Sequence, residues 1–199
     1  MDITLKKGLN IPLSGEAKKK LNTFTPSNSF AIYPKDFHGV IPKLMCKEGD
    51  EISLGQPLFY SKSNPEIMFV SPSSGRVSNI VRGARRKILS IEIIGNKKKS
   101  ALKHKIPSFS KITPNDIKKL LLSSGCWPFI KQRPYDIVAD PNLNPKSIFI
   151  SALSTAPLVA DVSFSLQGKE DDFKLGIKVL NKLTKTSSKR VSPSKIWPK

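Results

Sequence analysis

Across residues 1–95 the apolar positions come in short alternating runs, each closed by glycine, proline, serine or aspartate. ITLKKGLNIPLSG (3–15) reads as one short strand followed by Gly-Pro turns. GVIPKLMCKEGDEISLGQPLFYS (39–61) reads as two strands around the Glu48-Gly49-Asp50 turn. EIMFVSPSSGRVSNIVRGARRKILSIEIIG (66–95) reads as three more, broken at Pro72-Ser73-Ser74-Gly75 and near Gly83. Short strands with turn signals between them predict a small all-β sandwich or barrel. Val77, Ile80 and Val81, then Leu89, Ile91 and Ile93, are the expected inward positions.

The pattern changes after residue 96. Residues 97–111 are rich in lysine and serine and read as a linker. ITPNDIKKLLLSSGCWPF then predicts a helix: Thr113 caps it, Pro114 fits its first position and Asp116 lies in its first turn. Ile117, Leu120 and Leu121 form its apolar face, and Gly125 closes it. KSIFISAL (146–153) predicts a strand buried on both faces of a parallel sheet. In DDFKLGIKVLNKLTK, Phe173, Ile177, Leu180 and Leu183 share one helical face. Helix, strand, helix begins an α/β domain whose sheet these residues cannot complete, which leaves an exposed edge prone to aggregation.

The expected fold class is therefore α+β and multi-domain. An all-β domain occupies residues 1–96, the linker 97–111, a partial α/β domain 112–185, and a basic tail 186–199. The chain has 199 residues and a net charge of +19. That balance favours acidic partners, and a basic RNA-binding protein of the translation machinery is the alternative reading. Lysine supplies 28 of the 34 basic residues, however, and aromatics do not interleave with the basic runs, so no nucleic-acid partner is expected. Cys46 and Cys126 are too few for a disulfide framework, and with His38 and His104 they make no zinc spacing. No apolar run is long enough to span a membrane, and no signal peptide precedes the first strand.

EGDEISLGQPLF (48–59) looks like half of a biotinyl or lipoyl carrier domain. Such domains present a modifiable lysine at a hairpin tip. Measured back from Gly75 by the family's spacing, that position falls on Asn64, followed by Pro65, with Lys62 nearby. The reading is a barrel-sandwich scaffold without the carrier lysine.

KKGLNIPLSG, FHGVIPKLMCKEGDEISLGQPLF, SPSSGRVSNIVRGARRKILSIEI, CWPFIKQRPYDIVADP and SIFISALSTAPLVAD, in that order, resemble NqrA, the A subunit of the Na⁺-translocating NADH:quinone reductase. The resemblance covers residues 3 to about 185 and lapses near Thr184. It implies a barrel-sandwich hybrid domain followed by an α/β domain. It also implies a peripheral subunit on the cytoplasmic face of the bacterial inner membrane, in a complex that couples electron transfer from NADH to quinone to Na⁺ export. Family members are more than twice this length, so the chain reads as truncated.

The resemblance further implies that the chain binds no flavin or iron–sulfur cluster. NADH, flavins and iron–sulfur centres belong to partner subunits, and quinone is the possible substrate. The sequence agrees, with neither a Gly-rich phosphate loop nor a cysteine cluster. The expected partners are the other reductase subunits, chiefly the membrane-embedded B subunit, and the chain alone completes no active site. No nucleophilic triad or paired catalytic carboxylates are evident.

Two loops stand out as a candidate surface. The first carries His38, Gly39, Pro42 and Lys43; the second carries Trp127, Phe129, Arg133, Pro134 and Tyr135. Large apolar groups beside a few hydrogen-bond donors suit a quinone ring and its carbonyls, or a contact with the B subunit. The plainer alternative is that Trp127 and Phe129 pack the α/β domain on the sandwich while Arg133 pairs with Asp136. RGARRK (82–87) suits lipid headgroups, an acidic partner or a solvated turn equally.

Overall fold

The computed structural model describes residues 14, 18–25, 27–96, 100–152 and 158–184. The expected strand in 3–15 and the basic tail 186–199 lie outside those residues, apart from Ser14.

Seven strands form two facing sheets. In chain order they are β1 (Ser29–Ile32), β2 (Pro42–Leu44), β3 (Glu51–Ile52), β4 (Pro57–Ser61), β5 (Met68–Val70), β6 (Gly75–Arg82) and β7 (Ile88–Gly95). One sheet has the order β1-β7-β6-β3 and the other β2-β4-β5, all neighbours antiparallel. The two sheets make a small all-β sandwich, as the strand and turn spacing predicts.

Bulges decide which side chains face inward. Val77 pairs with Ile93 but Asn79 pairs with Glu92, so Ser78 is an extra residue in β6. Strict alternation from Val77 would turn Asn79 and Val81 inward. The bulge resets the parity, so Val77 and Ile80 are buried and Val81 is only half-buried. A second bulge places Leu89 as an unpaired residue between Ile88 and Ser90. Leu89 therefore points outward, 42% exposed, against the sequence expectation, while Ile91 and Ile93 are fully buried. In β4 a third irregularity lets the consecutive Leu58 and Phe59 both turn inward. Phe59 stacks on Phe69 at 4.5 Å, and Phe37 meets Phe69 edge-on at 4.6 Å. At the β4–β5 turn, the Lys62 amide is tied to the Ile41 carbonyl at 2.8 Å and Ile67 is buried.

The linker is not free along its length. Leu54 donates to Ser100 and Leu102 donates back to Leu54, at 2.9 and 2.8 Å, so residues 100–102 lie along the sandwich edge. The other end is held by Lys182, whose Nζ donates to the Phe109 carbonyl at 2.6 Å and lies 4.1 Å from the Phe109 ring centroid.

The second part holds α1 (Pro114–Ser123), a hairpin of β8 (Lys131–Gln132) and β9 (Ile137–Val138), α2 (Val162–Ser165) and α3 (Glu170–Asn181). Thr113 and Asp116 form a reciprocal capping box at the start of α1. Gly125 ends the helix at φ +71° and sits against Val70 of β5. Ile117 and Leu122 are the buried residues of α1, with Leu120 and Leu121 half-buried beside them. Leu122, Trp127 and Val138 join Phe59, Phe69 and Ile93 in a single apolar core, so the second part is welded to the sandwich.

The expected strand over 146–153 does not form: Lys146–Ala152 are without strand pairing, and Leu153 lies outside the described residues. A strand needs a neighbour for its backbone groups, and none of the described residues offers one there. Phe149 is consequently 92% exposed. For the same reason α3 buries none of its residues fully; Phe173, Ile177, Leu180 and Leu183 are half-buried.

Candidate functional site

The sequence between α1 and residue 151 folds back on itself because its polar backbone groups find local partners. Pro128 follows Trp127 in a short 3-10 turn, and the chain then enters the β8–β9 hairpin. The Trp127 indole N–H donates to the Ala139 carbonyl at 2.7 Å, fixing the ring under the hairpin. Ala139 in turn donates to Ile130 at 2.9 Å. Beyond the hairpin, Asp140 accepts from the Asn142 amide at 2.9 Å, and Lys118 of α1 donates to the Pro141 carbonyl at 2.5 Å. These bonds hold residues 139–142 against α1.

The result is an open cleft of about 1110 Å³. Its apolar lining includes Trp127, Phe129 and Ile130, Ile148, Phe149 and Ile150, and Leu180 and Leu183. Lys118, Lys131 and Arg133 supply cations; Asp136 and Asp140 supply carboxylates. Asp136 lies 3.7 Å from Arg133 and 4.0 Å from Lys131, loose contacts that leave the guanidinium available to a ligand.

The two loops singled out in the sequence meet, but unequally. Gly39, at φ +78°, lies against Ile137 of β9: a β-carbon there would stand 3.1 Å from Ile137 Cγ2. Pro42 is half-buried at the start of β2, His38 is exposed, and Lys43 reaches over the Tyr60 ring at 5.7 Å. None of these four first-loop residues lines the cleft. In the second loop Trp127 is 4% exposed and belongs to the core, the packing alternative. Phe129 and Tyr135 are 77% and 70% exposed, so neither packs the two parts together. Arg133 does approach Asp136, and the Arg133–Pro134 bond is cis, with Pro134 exposed.

Phe149, Leu143 and Lys118 were missed as cleft residues by sequence reasoning. KSIFISAL looked like a core strand, and nothing local in it signals that its partner strands are absent. Among the described residues no group of three or more His, Cys, Asp or Glu could hold a metal ion, and no helix is long and apolar enough to cross a membrane. The Cys46 thiol is buried, and burial, reinforced by Asp50, pushes its pKa up. The cleft thus sets exposed aromatic and aliphatic side chains beside Arg133, Lys118 and Lys131.

Comparison with known proteins agrees with this architecture. The family described as the NqrA N-terminal barrel-sandwich hybrid domain matches residues 3–96, and the NqrA second alpha/beta domain matches residues 112–195. The second match runs past the residue near which the resemblance lapses on reading the sequence. The A subunit of the Na⁺-translocating NADH-quinone reductase of Pseudomonas aeruginosa strain UCBPP-PA14 is 32% identical over 185 residues, 92% of this chain and 42% of that protein. The same-named protein of Pasteurella multocida is 34% identical over 183 residues, 91% of this chain and 41% of its own. That of Haemophilus influenzae strain Rd is 33% identical over 183 residues, with the same coverage of 91% and 41%. The chain thus spans about two fifths of the length of these relatives. None of them favours the RNA-binding alternative.

Proposed function

The chain belongs to the NqrA family, and on that premise we propose that it acts as the N-terminal part of the NqrA subunit of a Na⁺-translocating NADH:quinone reductase. In this reading it is a peripheral subunit on the cytoplasmic face of the membrane. It docks on the membrane-embedded B subunit and helps to hold quinone, while NADH, flavin and iron–sulfur chemistry stays with partner subunits.

One observation carries the site reading: two exposed aromatic residues, Phe129 and Phe149, line the same open cleft as Arg133. A quinone ring buries apolar area against aromatic walls, and its carbonyl oxygens accept hydrogen bonds from a guanidinium. Gly39 supports the same face, since its lack of a side chain lets the His38–Lys43 loop close on β9. Tyr135 and His38, both exposed, lie on these two loops and would serve the contact with the B subunit.

The experiment is the Arg133→Ala and Phe129→Ala pair, with quinone binding and complex assembly measured separately. Both side chains are exposed, so folding should be untouched. Loss of quinone affinity at constant assembly supports the quinone site. Loss of assembly supports the docking role. If both measures stay unchanged, the site reading is wrong.

A further inference from the structure

The tip of the β6–β7 hairpin has no part in the cleft. Four basic residues, Arg82, Arg85, Arg86 and Lys87, fall within six positions there, and all four are exposed. The ion pairs among the described residues engage none of them. The one acid on these two strands is Glu92, which sits at the Asn79 rung away from the tip.

The backbone does not ask for arginine at this turn. Arg85 and Arg86 have φ of +54° and +58°, the left-handed region that glycine or asparagine enters most readily. Bonds from Gly83 to the Lys87 carbonyl at 2.8 Å and from Lys87 to the Ala84 carbonyl at 3.2 Å lock the turn in that state. The turn thus holds two arginines where local conformation favours smaller residues. Beside them stands Leu89, the bulge residue turned to solvent, its terminal carbons packed across Gly83.

We propose that this hairpin tip is a contact for an anionic phospholipid surface, with the four cations among the headgroups and Leu89 at the acyl boundary. A convex tip of cations around one apolar side chain fits a planar bilayer. It does not fit single-stranded nucleic acid, for no aromatic residue occurs in 75–95 to stack on a base. The proposal extends the reading of the chain as part of a reductase and can fail while that reading stands, since capture of partner subunits does not require lipid.

The test is co-sedimentation of the full chain with vesicles of phosphatidylcholine alone and of phosphatidylcholine mixed with phosphatidylglycerol. The chain should bind only the anionic vesicles and should be released as salt is raised. Asparagine tolerates the left-handed turn, so the Arg85→Asn/Arg86→Asn variant keeps the fold. It should lose about five-fold in affinity per arginine, roughly 25-fold in all. Lys103→Asn/Lys105→Asn removes the same charge from the linker and should lose far less. Equal losses in the two variants would reduce the effect to net charge and overturn the proposal. Equal binding to neutral vesicles, or tighter binding to polyadenylate than to anionic vesicles, would also overturn it.

Discussion

Gly125, at the end of α1, presses directly on Val70 of the sandwich: a β-carbon on Gly125 would stand 2.5 Å from Val70 Cγ2. The backbone there has φ +71°, so an added side chain meets two obstacles at once. Gly125→Ala should destabilise the protein by roughly 2–5 kcal/mol, the sum of left-handed strain and overpacking. Gly168 has a similar φ of +74° but nothing within 4 Å. Gly168→Ala should cost only about 1–2 kcal/mol. Urea denaturation of both variants separates the packing cost from the backbone cost. Equal losses would mean that the α1 terminus does not bear on β5.

The start of α1 should respond to acid. The Thr113 hydroxyl and amide both donate to the Asp116 carboxylate, the hydroxyl more strongly, and hold its pKa below the ordinary 3.8. A depressed folded-state pKa contributes stability that is fully present above the unfolded value and is lost as pH falls through the folded one. The cap should therefore weaken only below about pH 4. Asp116→Asn should remove that part of the acid response while leaving stability between pH 6 and 8 nearly flat. An unchanged acid limb in the variant would assign the response elsewhere.

The two cysteines should differ sharply in reactivity. Cys126 is exposed, whereas Cys46 is buried and its thiol is pushed up, first by desolvation and then by Asp50. Iodoacetamide at pH 8 should alkylate Cys126 and spare Cys46 until denaturant is added. Mass spectrometry of the native labelled chain checks this; native labelling of Cys46 would contradict the core packing.

Glu48 closes a gap in the β6 ladder. Its carboxylate accepts from the Ile80 amide at 2.9 Å, two residues beyond the Ser78 bulge. Glu48→Ala should cost about 1–2 kcal/mol, the range for a lost partner of a partly buried amide, while Glu48→Gln retains an acceptor and should cost less. Thermal unfolding of the two variants gives the comparison.

The all-β half was legible because its turn residues and alternation are local signals. Glu48-Gly49-Asp50 and Pro72 to Gly75 mark their turns in the chain itself. What was not legible depends on pairing. Leu89 belongs to the apolar pattern but is expelled by a bulge, a feature fixed by the neighbouring strand. β1 has turn residues on both sides, Pro26-Ser27-Asn28 and Pro34, but its four residues are too few to show an alternation, and its ladder with β7 defines it. The helix at 114–123 was readable from its cap, whereas the strand at 146–153 was read from composition alone and lacks the neighbours that would make it one. Of the candidate site, Phe129 and Arg133 were found as apolar and cationic residues outside any periodic run, and both line the cleft. Phe149 was hidden by looking like core.

A working place for this chain within a membrane-embedded reductase is tested most directly by capture. The tagged chain is recovered from detergent-solubilised membranes of its source cell, and mass spectrometry identifies whatever stays bound through size exclusion. Recovery of the membrane-embedded reductase subunits is expected, reduced by Phe129→Ala or Tyr135→Ala. Recovery of ribosomal proteins and RNA without any reductase subunit would contradict it.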